Sequence, residues 1–253
     1  MKTVQALRLA TLGAVLASSS TAWALTTTLP TSALNANGTL TFSADAVNVL
    51  NTVNVNRTAL GTTTAVGTTG SVFVLPVTSA TTAISIWPPS ITATSGTAMG
   101  SAIGFDRGPG NSLIFGNARL DLSAGKVYAD VWQNGVKSYL NIFDFHVAQG
   151  LTLSLNGGLN LKEKLDHLTL TTDGVNAFTS ALHVPNALKG FLASIDDFGS
   201  IDINISPTLR TPLGSVSGKA YNPPPVPEPA TYVLTTLGLI AAAVCAARRR
   251  SPA

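Results

Sequence analysis

The densest group of hard oxygen ligands in the chain is Asp196, Asp197 and Asp202. Carboxylates this close together, on a loop that runs into a strand, suit Ca2+, which accepts oxygen ligands in flexible geometry. The competing reading ends a helix at Gly199 and leaves Asp196 and Asp197 in water. Carboxylates also cleave glycosidic bonds when two of them flank the bond about 5 to 9.5 Å apart, a distance that spacing along the chain does not fix. His146, His167 and His183 are the available imidazoles, but they fall in different elements, so a zinc site would need the fold to gather them. Asp166-His167 would need a distant Ser to complete a nucleophilic triad, and in so Ser- and Thr-rich a chain that pairing carries little information.

Aromatic side chains offer a different chemistry. Tyr128 and Trp132 alternate with Val127, Ala129 and Val131, and together with Tyr139 they would form a platform that stacks on sugar rings if their face is exposed. If both faces are buried, they are core. The chain has no HExxH pair, no GxSxG elbow, no GxxxxGK[ST] phosphate loop and no GxGxxG after a strand. Gly214-Ser215-Val216-Ser217-Gly218 places Val216 where a nucleophile elbow needs Ser. No catalytic residue and no cofactor is therefore assigned, and a metal assignment goes no further than the three aspartates.

The formal charge is +3, yet five of the fifteen Lys and Arg residues are Lys2, Arg8 and Arg248 to Arg250, at the two ends. The body between them is nearly neutral and shows no basic stripe interleaved with aromatics, which argues against nucleic acid as a partner. The single cysteine, Cys245, lies in an apolar run near the C-terminus, so the body has no disulfide and must stand on its hydrophobic core. About 195 residues suffice for that.

The elements that position these residues read as strands. Leu40 and Phe42, Val47 and Val49, and Val53 and Val55 recur at period two, and 71–77 and 83–87 read as two further strands, the second stopped by Pro88-Pro89. Leu120 and Leu122, the turn Ser123-Ala124-Gly125, and Val127, Ala129 and Val131 predict a hairpin with one buried face. Asn134-Gly135 carries the turn chemistry of a second hairpin leading into 139–147. Leu151, Leu153 and Leu155 continue the alternation to Asn156-Gly157-Gly158, and Leu159 and Leu161 resume it. Ile201, Ile203 and Ile205 against Ser200, Asp202, Asn204 and Ser206 form the cleanest amphipathic strand.

Helix is predicted twice. Asp173 can cap a segment in which Val175, Phe178 and Leu182 share a face, and Pro185 interrupts it before Leu188, Phe191, Leu192 and Ile195. The expected fold is mainly β, an antiparallel sandwich or open barrel with one or two short helices at an end of the sheet.

Both termini lie outside that fold. Lys2 and Arg8 flank the apolar stretch 9–17, and Ala22-Trp23-Ala24 supplies the small-residue cleavage site of a secretory signal peptide over 1–24. The body then covers 25–221. A Pro-rich extended spacer over 222–229 ends in Pro227-Glu228-Pro229. Residues 230–247 are apolar on all sides of a helix and uncharged, a pattern suited to lipid. The segment 248–253 begins with Arg248-Arg249-Arg250, which would snorkel to the headgroups and hold that flank in the cytoplasm.

The order of Pro-Glu-Pro box, single apolar helix and basic cluster resembles the PEP-CTERM sorting signal. The resemblance covers only the tail. It implies an exported bacterial protein with exosortase, an intramembrane processing enzyme, and the signal peptidase as partners. It also implies transient anchoring in the inner membrane through 230–247, then a place at the cell surface or outside the cell. The function expected on that basis is a non-catalytic structural or adhesive component linked with exopolysaccharide. A secreted polysaccharide-acting hydrolase and a small-ligand-binding β protein are the alternatives, the last favoured by an enclosed apolar cavity. N-terminal sequencing of secreted material is expected to begin at Leu25, because Ala22 and Ala24 occupy the small positions of the cleavage site; a chain still beginning at Met1 would contradict the signal-peptide reading.

Overall fold

The computed structural model describes residues 24–86, 89–154, 160–212 and 215–224. The chain divides into two units, Met1–Tyr221 and Asn222–Ala253, and the architecture below is that of the first. Residues 1–23 with Ala22, the box Pro227-Glu228-Pro229, the apolar run 230–247 with Cys245, and Arg248 to Arg250 lie outside the described residues, as do Trp87, Pro88 and the turn Asn156-Gly157-Gly158. Among the described residues no helix is long and apolar enough to cross a membrane.

Among the described residues twelve strands form one sheet in which every pair is antiparallel. They are β1 (Ala24–Pro30), β2 (Leu34–Phe42), β3 (Asn56–Gly61), β4 (Thr64–Val66), β5 (Val72–Pro76), β6 (Ser79–Ile86), β7 (Pro89–Asp106), β8 (Ser112–Asp121), β9 (Lys126–Gln133), β10 (Val136–Ser154), β11 (Asn160–Leu170) and β12 (Gly199–Leu209). The order across the sheet is β1-β6-β7-β8-β9-β10-β11-β12-β2-β5-β4, with β3 on the second half of β7. The sheet is open and curled into a half-barrel, so the inward residues of β1 and β12 line the same interior. The expected sandwich, which needs two sheets, is not formed; the open-barrel form of the expectation is the one realised.

The predicted turns close as their chemistry requires. Asp121 accepts hydrogen bonds from Ser123 Oγ (2.6 Å) and the Ala124 amide (2.9 Å), which shapes the β8–β9 turn. Asn134 and Gly135 both take positive φ, 50° and 82°, the pairing of a two-residue turn between twisted strands. Ile201 pairs with Leu40, while Asp202 and Asn204 face solvent on the outer surface of β12.

Among the described residues three short helices accompany the sheet, one more than expected: α1 (Ala44–Thr52), α2 (Thr172–Ala181) and α3 (Asn186–Ala193). The alternation of Val47 and Val49 predicts a strand where α1 forms. Ser43 overrides it by capping the helix, its Oγ accepting from the Ala46 amide at 3.0 Å, and Ala46 and Leu50, one turn apart, are fully buried. Val53 becomes the C-cap of α1, and Val55 follows in the connection to β3. The cap of α2 is Thr171, which accepts from the Gly174 amide at 3.0 Å; Asp173 sits in the first turn, where its charge favours the helix dipole. Arg107 ties the helix ends together, donating to the carbonyls of Val53, Leu182 and His183.

The helical end is filled by rings. Phe105 meets Phe115 and Phe178 at centroid distances of 5.3 and 4.9 Å, and edge-to-face contacts continue from Phe105 through Phe42 to Phe73. Each such side chain stabilises the fold by about 1.5–3 kcal/mol through area alone.

The curl is set where the ladder breaks. Register shifts fall between Ala98 and Ala102 on β7 and between Gly116 and Arg119 on β8, the signature of bulges that bend a strand. Gly100 takes φ +83°, and a Cβ there would lie 2.8 Å from the Lys219 carbonyl oxygen. Asn117, 1 % exposed and at φ +52°, answers the freed backbone groups. Its Oδ1 accepts from the Gly100 and Tyr221 amides (3.0 and 2.7 Å), and its Nδ2 donates to the Tyr221 carbonyl (3.0 Å) and Asp130 Oδ2 (2.7 Å). Replacing Asn117 with Gly keeps the backbone conformation and orphans those partners. A loss of about 3 kcal/mol is expected, roughly 6–12 °C in Tm for a domain of this size. Thermal denaturation checks it, and a Tm within about 1 °C of the parent would contradict the assignment.

Candidate functional site

At the end away from the helices, the curled sheet holds a partly open cavity of about 250 Å3. Its floor is the phenylalanine cluster, with Phe42, Phe105 and Phe115 among the lining residues. One wall carries aliphatic side chains, including Leu161, Ile203 and Ile205; the facing wall carries small ones, including Ala93, Gly96, Ala98 and Ala118. The space exists because of that difference in volume. The inward positions of β6, β7 and the second half of β8 are mostly too small to fill the interior that the large residues of β2, β11 and β12 leave.

Two chain crossings hold the seam of the half-barrel beside this cavity, from β1 to β2 and from β5 to β6. Thr31 anchors both: its amide donates to the Thr78 carbonyl (3.0 Å) and its Oγ1 to the Val77 carbonyl (2.8 Å). Thr78 Oγ1 meets Thr97 Oγ1 at 2.9 Å and accepts from the Met99 amide at 3.1 Å. Thr31, Thr78 and Thr97 therefore spend their hydroxyls on the seam, and the lumen lining is mostly apolar.

Glu163 is the exception. It is the one charged residue among those lining the cavity, it is 7 % exposed, and its carboxyl has no hydrogen bond or ion pair among the described residues. Alternation along β11 puts it there: Leu161, Glu163 and Leu165 face inward, whereas Lys162 and Lys164 are exposed on the outer face. Burial disfavours the ionised form and pushes the Glu163 carboxyl up from 4.5 to about 7.

The residues singled out in the sequence are placed as follows. Tyr128 and Tyr139 come together with rings stacked at 5.5 Å, and the Arg119 guanidinium lies 5.6 Å from the Tyr139 centroid. Trp132 is on the same face but buried, with the Tyr221 ring edge-on at 5.8 Å and Lys137 Nζ 5.3 Å from its centroid. Asp197 Oδ1 accepts from the Gly199 amide (2.8 Å) and its Oδ2 lies 3.9 Å from His167 Nδ1. Asp196 is exposed on the preceding loop, and Asp202 is exposed on β12 opposite Lys164. His146 Nδ1 lies 3.3 Å from Asp166 Oδ1 on the outer surface, and His183 is exposed after α2. Among the described residues no three His, Cys, Asp or Glu side chains gather as a metal ligand set.

Sequence reasoning passed over Glu163, although a signal was present. It is the only glutamate apart from Glu228, and it shares a period-two phase with Leu161 and Leu165. Asn117 left no comparable trace, because its role depends on a bulge.

The raised Glu163 carboxyl gives stability a definite pH dependence. Between about pH 4.5 and 7 the folded chain keeps a proton that the unfolded chain has released, so stability falls as pH rises through that window and is flat above it. The total for this group is about 3 kcal/mol. Glu163→Gln removes the titration: its urea midpoint is expected to match the parent near pH 4.5 and to exceed it by the equivalent of about 3 kcal/mol near pH 8. A difference independent of pH would contradict the buried-carboxyl assignment.

No protein-family model matches the sequence, and no curated protein or solved structure matches it either.

Proposed function

We propose that this is an exported protein whose body binds one small apolar molecule inside the curled sheet. The observation that supports it best is the apolar cavity of about 250 Å3, walled by strands and floored by packed rings. Apolar cavities of about 150 Å3 stay dry and accept benzene, so this one suits a ligand of roughly ten non-hydrogen atoms. The rigid antiparallel wall pre-forms the site, which lowers the ordering cost of binding. Export and sorting belong to the same proposal and rest on the tail: the signal peptidase acts after Ala24, exosortase acts near Pro227-Glu228-Pro229, and 230–247 anchors the chain in the inner membrane until it is processed to the surface or medium.

Attachment to exopolysaccharide has less support. Tyr139 is 52 % exposed, but its ring already meets Tyr128 and Arg119, and Trp132 is withdrawn from the surface. Glycoside hydrolysis needs two carboxylates, and the lumen offers Glu163 alone.

Titration of the purified protein with octanol tests the ligand reading. One molecule per chain is expected, with a negative heat-capacity change from apolar burial. Ala118→Phe, which grows into the lumen from β8, is expected to weaken binding about tenfold or more. Saturation at several molecules per chain, or unchanged binding in the variant, would place the interaction on the outer surface and overturn the proposal.

A further inference from the structure

Resting on that lumen reading, we infer that the ligand carries a single protonated amine on an otherwise apolar body, and that Glu163 is the residue that selects it. The geometry sets the terms. The Glu163 side chain is inside the half-barrel, set into the β11 wall between Leu161 and Leu165 and paired across the sheet with Ile203 of β12. Among the described residues no group supplies it with a proton donor. The residues facing it from β10 and β12, and from β6, β7 and β8 across the lumen, are uncharged. The nearest charges along the sheet, Lys162 and Lys164 of its own strand and Asp202 of β12, are exposed on the opposite face. Of the hydroxyls that line the cavity, those of Thr31, Thr97 and Ser101 already bond to Val77, Thr78 and Thr62, while those of Thr82 and Ser95, on the facing strands, are uncharged and make no hydrogen bond among the described residues.

A carboxyl buried among hydrocarbon without a partner disfavours its own ionised form, and the remedy is an opposite charge with a hydrogen bond in place. An ammonium supplies both, and it does so at one wall only. The ligand is then oriented, with its head against β11 and its tail running over the phenylalanine floor toward the small residues of β7 and β8. A neutral hydroxyl would supply a hydrogen bond but no charge. A carboxylate would be repelled by the ionised form.

Octylamine, octanol and octanoate share one tail and separate these cases. Near pH 8, octylamine is expected to bind about tenfold to a hundredfold more tightly than octanol, the range of a charge-assisted hydrogen bond. In Glu163→Gln the two should bind within about twofold of each other, and octanol should bind the variant as it binds the parent. Lowering the pH from about 8 to about 5 should weaken octylamine and leave octanol unchanged, since the amine keeps its charge throughout and the carboxyl does not. Octylamine no tighter than octanol, octanoate tighter than both, or an amine preference that persists in Glu163→Gln would each overturn the inference while leaving the lumen reading standing. Failure of all three to bind would overturn both.

Discussion

The carboxamide of Asn117 holds the bend on which the rest of the structure depends. Among the described residues the single sheet of twelve strands has no second sheet to cover its apolar face, so it buries that face by curling over it. Curling needs breaks in the ladder, and each break frees backbone groups that must find partners. At one such break, where β7 changes partners from β6 to β3, the four hydrogen bonds of Asn117 satisfy Gly100, both backbone groups of Tyr221 and the Asp130 carboxylate. Asp130 in turn pairs with Lys137 at 2.9 Å. Asn is suited to the position twice over, since it tolerates positive φ and has two donors and an acceptor to direct.

Once curled, the interior is finished differently at its two ends. Near the helices, phenylalanines pack edge to face in a buried cluster. Away from them, the Ala, Gly, Ser and Thr residues of β6 to β8 leave volume unfilled, and the seam threonines keep their hydroxyls on the backbone. Unfilled apolar volume lowers stability, by about 24 cal/mol for each Å3 in core-truncation series. A buried carboxyl without a partner lowers it further. These two destabilising features meet in one cavity, and the proposal of a bound ligand rests on that coincidence.

Much of the sheet was legible from residues that repeat at period two. The hairpin joined at Asn134-Gly135, the strand with Ile201, Ile203 and Ile205, and the two helices about Pro185 all formed where their patterns placed them. What misled the reading was local ambiguity settled by contacts far along the chain. Val47 and Val49 alternate like a strand, but Ser43 donates to the Asp197 carbonyl, more than a hundred residues away, and caps a helix. Whether Trp132 is platform or core stays open in the sequence, because nothing near it announces that Tyr221 will cover it. The lumen was hidden for a similar reason: period-two spacing marks the strands of the first half of the body but not that their small inward residues will face large ones across the curled sheet.

Xenon under pressure is the most direct probe of the central claim, that the curled sheet holds a dry apolar space fit for a ligand. In crystals of the protein, xenon is expected to occupy the space bounded by Leu120, Leu161, Ile203 and the phenylalanine floor, and Ala118→Phe is expected to displace it. Ordered water in that space, or side chains collapsed into it so that xenon binds only elsewhere, would contradict the account.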